Sequence, residues 1–222
     1  MMRFFPFRPV LLALALSAMG AALAQAAPDD EAFVREKANE ALQILADKSL
    51  DHDARSEKFR HFVDEVTDVR RVARFVLGKY ARGADKQKLE EFTQVFRRYA
   101  QGVYEAQLDN YSGETVTVTG SQDRKPGDSV VSSTISGGNL SEPLEVNWRV
   151  LTRHGRKLVL DVQVYGIWLA LQQRTEITSV IANHGGSIDA AIAVLKERIA
   201  NKDFGAAQPP DKTANAETQA SH

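Results

Sequence analysis

Two apolar patterns meet in the stretch KLVLDVQVYGIWLALQ (157–172). Before Gly166 the apolar residues alternate, which indicates a strand with one buried face. After Gly166 the apolar spacing becomes helical and continues from Ile167 to about Asn183. The run is shorter than the roughly 20 apolar residues that span a bilayer. We therefore predict a strand, a corner at Gly166 and a helix that packs over the sheet.

Three further stretches with alternating apolar residues precede this strand: ETVTVTG (114–120), SVVSSTI (129–135) and LEVNWRVLT (144–152). Turn residues separate them at 125–128, 137–139 and 154–156. Short connections between alternating strands are typical of an antiparallel meander with one apolar face. The last two strands are predicted to present on that face Leu144, Val146, Trp148, Val150, Leu158, Leu160, Val162 and Val164.

Helical spacing surrounds the meander on both sides. A first helix can be capped by Asp29 and Asp30, and a second carries Phe59 and Phe62. A third is predicted over 68–78, a long fourth over 85–110, and a last one follows Ser187 as its cap. The sequence thus predicts a single α+β domain, in which a four-stranded antiparallel meander packs against several helices with an apolar cavity between them.

The first residues read as an export signal. Arg3 and Arg8 precede the apolar run VLLALALSAMGAALA (10–24), and Ala24-Gln25-Ala26 forms a small-residue cleavage site. An N-terminal anchor helix is the alternative, but the run is short for a bilayer span. We predict a signal peptide at 1–26, one domain at 27–204, a disordered polar tail at 205–222, and export to the periplasm without stable membrane insertion.

Composition excludes several functional classes. The chain has no cysteine, so a lipoprotein anchor, disulfides and thiol chemistry are excluded. Its net charge of −1 gives no reason to expect a nucleic-acid partner. The common hydrolase, metalloprotease and nucleotide-binding motifs are absent from the sequence. We expect no catalytic residue, no metal site and no cofactor.

A few polar groupings offer alternatives to that expectation. Asp51-His52-Asp53 fits a solvated loop better than a metal site, because residues adjacent in sequence rarely converge on one ion. His61 and Asp64 lie one helical turn apart and could pair on the surface. Ser187 and Asp189 near His184 fit a helix cap better than a catalytic group.

Two basic clusters remain, and each fits either a solvated face or a surface that attracts anionic lipid headgroups or an acidic partner. One surrounds the helix that ends at Gly78, and the other interrupts the long helix. The clusters comprise Arg70, Arg71, Arg74, Lys79 and Arg82, and then Arg97 and Arg98.

An ordered set of motifs resembles the MlaC family of periplasmic phospholipid-binding proteins, also called the toluene-tolerance family. The set begins with RFVLGKY (74–80) and continues through Gln87, Phe92, Phe96, Tyr104 and LDNY (108–111). It resumes in LVLDVQVYGIWL (158–169), with Asp161 and Gly166 in place, and ends with Arg174, Ser179, Ile181 and Gly185-Gly186. The resemblance covers about 30–199.

The sequence also departs from the family pattern. Ala81 follows Tyr80 where the family often has tryptophan, and Lys157 stands where an aromatic residue is common. Trp168 is bulky and would narrow a pocket. A related branch of the family is associated with hopanoids, so a polycyclic lipid is an alternative cargo.

The resemblance implies a carrier that moves phospholipid between an outer-membrane lipoprotein complex and an inner-membrane ABC transporter with a mammalian-cell-entry subunit. We expect acyl tails between the apolar sheet face and the long helix, the headgroup near the mouth and weak headgroup selectivity. The candidate lipid-binding residues are Val72, Val76, Tyr80, Phe96, Tyr99, Val103, Val131, Val146, Trp148, Val150, Leu160, Val162 and Val164.

Two other functional classes stay open at this point. A meander wrapped by helices also resembles the cone of nuclear-transport-factor-2-like folds, some of which are enzymes. An enzyme of that kind would need titratable groups that converge in the cavity, and only Asp161 and the histidines are candidates. A periplasmic adaptor or chaperone with a packed interior is the third reading, and it predicts no bound small molecule.

Overall fold

The computed structural model describes residues 28–108 and 110–204. In these residues the chain forms an α+β domain of helices around one antiparallel sheet, which confirms the predicted fold class. The predicted signal peptide at 1–26 and the polar tail at 205–222 lie outside the described residues, so both stay predictions. None of the described helices is long and apolar enough to cross a membrane.

The helices follow the predicted apolar patterns closely. A short 3₁₀ helix, Gly78–Arg82, links α3 to α4. The α-helices are α1 (Pro28–Ala46), α2 (His52–Val66), α3 (Val69–Leu77), α4 (Lys86–Leu108), α5 (Leu169–Asn183) and α6 (Ile188–Ala200).

Three helices begin at an aspartate whose side chain accepts a hydrogen bond from a backbone N–H group of the first turn. Asp51 accepts from Ala54 at 2.8 Å, and Asp68 accepts from Arg71 at 3.1 Å. Asp85 accepts from Gln87 at 2.7 Å. Two predicted caps make no side-chain cap bond of this kind. Ser187 occupies the N-cap position of α6 without a side-chain cap bond. Asp30 lies in the first turn of α1 and instead accepts a bond of 2.7 Å from Ser129 Oγ on the sheet.

The sheet is a meander in the order β1 to β5, with each strand antiparallel to the next. Its long strands are slightly longer than their apolar patterns predict. The strands are β1 (Glu114–Lys125), β2 (Asp128–Gly137), β3 (Leu144–Arg153), β4 (Arg156–Val164) and β5 (Ile167–Trp168).

The prediction of four strands and of a helix that starts at Ile167 needs correction. Ile167 pairs with Val164 as the first residue of β5, and α5 begins only at Leu169. Tyr165 and Gly166 form the turn between β4 and β5, with φ of 52° and 77°. Two consecutive positive φ angles are those of a type I′ hairpin turn, which explains the glycine at the corner.

The predicted apolar face of β4 is also only half right. Val162 and Val164 pair with Trp148 and Val146, as expected. The register then shifts, so that Arg149 pairs with Asp161 while Val150 pairs with Val159. Leu160 is therefore an extra, bulged residue, and the bulge reverses which side chains share the face beyond it.

Two apolar clusters result. The smaller one joins α1 to the sheet through Val34, Val131 and Val150, with Trp148 packed against it. The larger one joins α3, α4, α5 and α6 around Phe92, Leu77 and Ile177, which are almost completely buried. Strand β4 and the start of α5 adjoin the helical cluster, and an apolar cavity lies at this junction.

Candidate functional site

An apolar cavity of about 500 Å³ lies between the helices and strand β4. This volume falls within the range of roughly 300–1,000 Å³ that is common for small-molecule sites. Its apolar wall comes from Val63 of α2, Val69 and Val72 of α3, Phe96, Tyr99, Ala100, Val103 and Tyr104 of α4, Val159, Leu160 and Val162 of β4, Leu169 and Ala170 of α5, and Phe204.

Tyr104 adds an aromatic ring to this wall. Its ring centre lies 5.2 Å from that of Phe59. Burial raises the pKa of the Tyr104 hydroxyl above its ordinary value.

Polar lining groups gather where α5 faces the end of α6. Arg198 donates from Nη1 to Glu176 Oε2 at 3.0 Å, and its guanidinium lies 5.9 Å from the ring centre of Tyr99. Gln173 Oε1 is buried there without a hydrogen-bond partner among the described residues. A buried acceptor without a partner lowers the stability of the fold, so this amide oxygen is suited to accept a hydrogen bond from a ligand.

Asp161 has a structural task at the cavity wall. Its carboxylate is 8% exposed and accepts the backbone N–H groups of Val162 and Ala170, both at 2.8 Å. Burial raises the pKa of this carboxyl, and the N–H donors oppose the rise. The bond to Ala170 fixes the first turn of α5 to β4, so Asp161 connects two walls of the cavity.

Phe204 closes one end of the cavity. Asp203 N–H donates to Arg198 O at 2.8 Å and turns the chain back after α6. The Phe204 ring then lies over α4, where its centre is 6.2 Å from that of Tyr99. A Cβ atom on Gly102 would lie only 2.1 Å from this ring, so the glycine provides the notch in which the ring is seated.

Some of the residues predicted to bind lipid do line this cavity, and others lie elsewhere. Their role in binding stays a prediction in either case. The lining includes Val72, Phe96, Tyr99, Val103, Leu160 and Val162.

The remaining predicted residues lie outside the cavity lining. Val76 is fully buried in the helical cluster, and Tyr80 packs against that cluster. Val131, Trp148 and Val150 belong to the cluster beneath α1. Val146 is 2% exposed, and Val164 is half-buried at the β5 edge. Trp168, expected to narrow the pocket, is also absent from its lining.

Sequence reasoning missed several lining groups, of which Phe204 and the α2 residue Val63 are examples. Phe204 is the last residue of the predicted domain, and nothing in its sequence neighbours indicates a buried ring. One signal was present: an isolated glycine at position 102 within a long helical pattern usually has a packing reason. That glycine is where the Phe204 ring lies.

The polar groupings do not form a second site. Asp64 pairs with Arg97, and His61 Nε2 lies 3.8 Å from Glu57. Asp189 pairs with Lys88 at 2.5 Å, and His184 Nδ1 lies 2.8 Å from Val180 O. Within residues 28–108 and 110–204, no three histidine or carboxylate side chains are placed to hold a metal ion.

Comparison with known proteins agrees with this architecture. A solved structure, the phospholipid-binding protein from Ralstonia solanacearum in complex with a phospholipid, matches with a TM-score of 0.68 and 23% identity, over 78% of this chain and 98% of that chain. At this identity the likeness shows a shared fold. A search of curated proteins gives no significant match. The sequence model of the MlaC protein family matches residues 35–197, from α1 to α6, and the chain therefore belongs to the MlaC protein family.

Proposed function

We propose that this chain is a lipid carrier, which binds phospholipid acyl tails in the cavity and transfers lipid between outer-membrane and inner-membrane complexes. The observation that carries the proposal is the cavity itself, with about 500 Å³ of space, an apolar wall and a few polar groups gathered at one side. The MlaC family is periplasmic, and the predicted signal peptide supports the same location.

The energetics of transfer explain why such a cavity is needed. Each CH₂ group that leaves an apolar environment for water costs about 0.8 kcal/mol. A carrier therefore has to surround the tail with apolar surface on every side. The lining of Phe96, Val103 and Val162 offers that surface without a polar partner that the tail would leave unpaired.

The polar groups suggest how the lipid is oriented. Arg198 and Glu176 form an ion pair at the side where α5 meets α6, and Gln173 adds an unpaired amide oxygen. We place the headgroup on this side and the tails against α3, α4 and β4. The lining is mainly apolar, and hydrophobic contact is non-directional, so tail number and shape should matter more than the headgroup.

The buried carboxylate in the cavity lining, that of Asp161, supports a binding function rather than catalysis, because its hydrogen bonds are structural. Asp161 is occupied by two backbone N–H bonds, and the enzyme alternative would require a free titratable group in its place. The solved relative in complex with a phospholipid, which shares the fold, supports a phospholipid as cargo. The partners we propose, an ABC transporter with a mammalian-cell-entry subunit and an outer-membrane lipoprotein complex, follow from the family.

The test is to purify the exported chain without detergent and to identify bound molecules by organic extraction and mass spectrometry. Native mass spectrometry of the same sample gives the stoichiometry. We expect one phospholipid per chain. A bound hopanoid would retain the carrier but change its cargo. If nothing is bound and labelled liposomes transfer no lipid, the carrier proposal fails and the adaptor reading takes its place.

A further inference from the structure

The motif RFVLGKY (74–80) forms a second concavity, on the side of α5 that faces away from the lipid cavity. This concavity has a volume of about 340 Å³. Four of its seven lining residues are cationic and none is acidic. They are Arg74, Lys79 and Arg82 from α3 and the 3₁₀ helix, and Arg174 from α5; the other three are Phe75, Gly78 and Ala81. We call these four cations the Arg174 cluster.

The charge of the Arg174 cluster is not neutralised by the described part of the chain. None of its four members takes part in an ion pair there. The neighbouring cations behave differently, since Arg70 lies 3.5 Å from Glu90 and Arg71 lies 3.7 Å from Asp68. Four uncompensated positive charges around one depression, in a chain of net charge −1, create a local positive potential.

Arg174 is held in place without an acidic partner. Its guanidinium carbon lies 4.9 Å from the ring centre of Phe75, which is a cation–π arrangement. A Cβ atom on Gly78 would lie 3.2 Å from Arg174 Nε, so a glycine here gives the guanidinium close access to the backbone. The guanidinium N–H groups form no hydrogen bond to a described residue and are therefore available to an external acceptor.

The surroundings of the cluster add further polar groups. An adjoining depression of about 410 Å³ shares Lys79 and Arg174 and is also lined by the hydroxyl residues Thr175, Thr178 and Ser179. The helix α5 separates this side from the lipid cavity, because Gln172, Gln173 and Glu176 line the cavity from its other face. The two sites are therefore spatially distinct.

We propose that the Arg174 cluster is a binding site for a phosphate group, presented by a lipid headgroup or by free phosphate. A guanidinium offers parallel N–H donors that match two phosphate oxygens, and lysine adds a point charge. The site does not depend on the cavity function proposed above, because it shares no residue with the cavity lining.

Two probes distinguish the sources of the phosphate group. Inorganic phosphate is titrated into the full exported chain labelled with ¹⁵N, and amide shifts at Gly78 and Lys79 are followed. In parallel, the protein is sedimented with vesicles of phosphatidylcholine alone and of phosphatidylcholine with phosphatidylglycerol, at low salt and at about 0.15 M salt, where the Debye length is about 8 Å.

Three variants decide whether the site is built around Arg174. Arg174→Gln removes the charge, and Arg174→Lys keeps the charge but loses the planar fork over Phe75. Arg156→Gln removes a charge at the exposed start of β4 and serves as the matched control. We expect both Arg174 variants to weaken binding by about tenfold or more, because a hydrogen bond between charged groups contributes about 1.5–3 kcal/mol. The control should bind like the wild type.

Each result has a definite meaning. Saturable shifts with free phosphate support the site and identify a soluble ligand. Sedimentation with phosphatidylglycerol vesicles, lost in both Arg174 variants but not in Arg156→Gln, supports it and identifies a headgroup. Equal losses in all three variants, or wild-type binding by Arg174→Lys, would show only general electrostatic attraction and overturn the proposal. Absence of binding to both probes overturns it as well.

Discussion

At Gly102 the missing side chain leaves room for the Phe204 ring, so one residue on α4 allows this ring to line the cavity. A Cβ atom at this position would lie 2.1 Å from the ring, a distance that real contacts do not permit. Helix α4 is packed on several sides, whereas Phe204 follows the last helix and can move away. We infer that an alanine at 102 would expel the ring.

We expect Gly102→Ala to destabilise the wild type by about 1–2 kcal/mol, because the Phe204 ring loses its packing. In a Phe204→Ala background the same change should stabilise by about 0.5–1 kcal/mol, since alanine is the better helix former. Urea denaturation of the four proteins measures this double-mutant cycle. An equal effect of Gly102→Ala in both backgrounds would contradict the inference that the Phe204 ring occupies the space at Gly102.

Asp161 leads to a prediction about how the stability of the fold depends on pH. Its folded-state pKa is raised by burial, so the folded protein holds this proton more tightly than the unfolded chain does. The stability that this carboxyl contributes is present below its ordinary pKa and is lost as pH rises through the raised value. Asp161→Asn keeps an oxygen for Val162 and Ala170 and removes the titration.

We therefore expect Asp161→Asn to gain stability relative to the wild type as pH rises from about 4 toward neutrality. Urea denaturation across this range measures the difference, in which the other carboxyl groups cancel. The control is Asp161→Ala, which leaves two N–H groups without an acceptor and should be less stable than Asp161→Asn by about 1–3 kcal/mol at every pH, because neither variant titrates at this position. A wild type that gains stability over Asp161→Asn as pH rises would contradict the assignment.

Strand β4 shows at the level of a single element what the sequence reveals and what it hides. Its alternating valines and leucines predicted the strand, and Gly166 predicted the corner. The bulge at Leu160 has no such signal, because neither glycine nor proline marks it and the residue is an ordinary leucine. A bulge depends on pairing with β3, and pairing is not visible in one strand's own residues.

Two neighbouring valines of β4 differ in their position relative to the cavity. Val162 lines the cavity, whereas Val164, two residues along the same strand, lies outside the lining. We expect Val162→Trp to fold and to lose most of its bound lipid. Each CH₂ that the indole excludes weakens binding by about 0.8 kcal/mol, so two or more reduce affinity more than about tenfold.

The matched control is Val164→Trp, which adds the same ring to the same strand outside the cavity. Bound phospholipid per chain, measured by mass spectrometry after extraction, should stay near the wild-type level in this control. Circular dichroism confirms that both variants fold. If the two variants retain equal amounts of lipid, tails do not lie against β4, and the cavity at this position is not the binding site.

At the scale of the whole molecule, local patterns were sufficient for the order of elements but not for the position of the cavity. The predicted residues on α4, such as Phe96 and Val103, line it because the apolar stripe of a long helix faces inward. Val131 and Val150 do not, because α1 covers that part of the sheet. The docking of α1 through Asp30 and Ser129 joins residues far apart in sequence, and no local pattern predicts it.

A cavity that is filled by a ligand couples cargo to the stability of the entire fold. A ligand that binds only the folded chain stabilises it by RT ln(1 + [L]/Kd), which is about 2.7 kcal/mol at one hundred times Kd. For a domain of this size we expect the loaded protein to melt about 5–10 °C above the delipidated protein. Differential scanning calorimetry of the two forms measures this difference.

The variants make that measurement specific to the cavity. In Val162→Trp the difference between loaded and delipidated protein should shrink toward zero, because the ring occupies the space of the tail. In Arg174→Gln it should persist, because the Arg174 cluster lies across α5 from the cavity. A melting difference that survives in Val162→Trp and disappears in Arg174→Gln would place the stabilising lipid at the cationic concavity, and the roles proposed for the two sites would have to be exchanged.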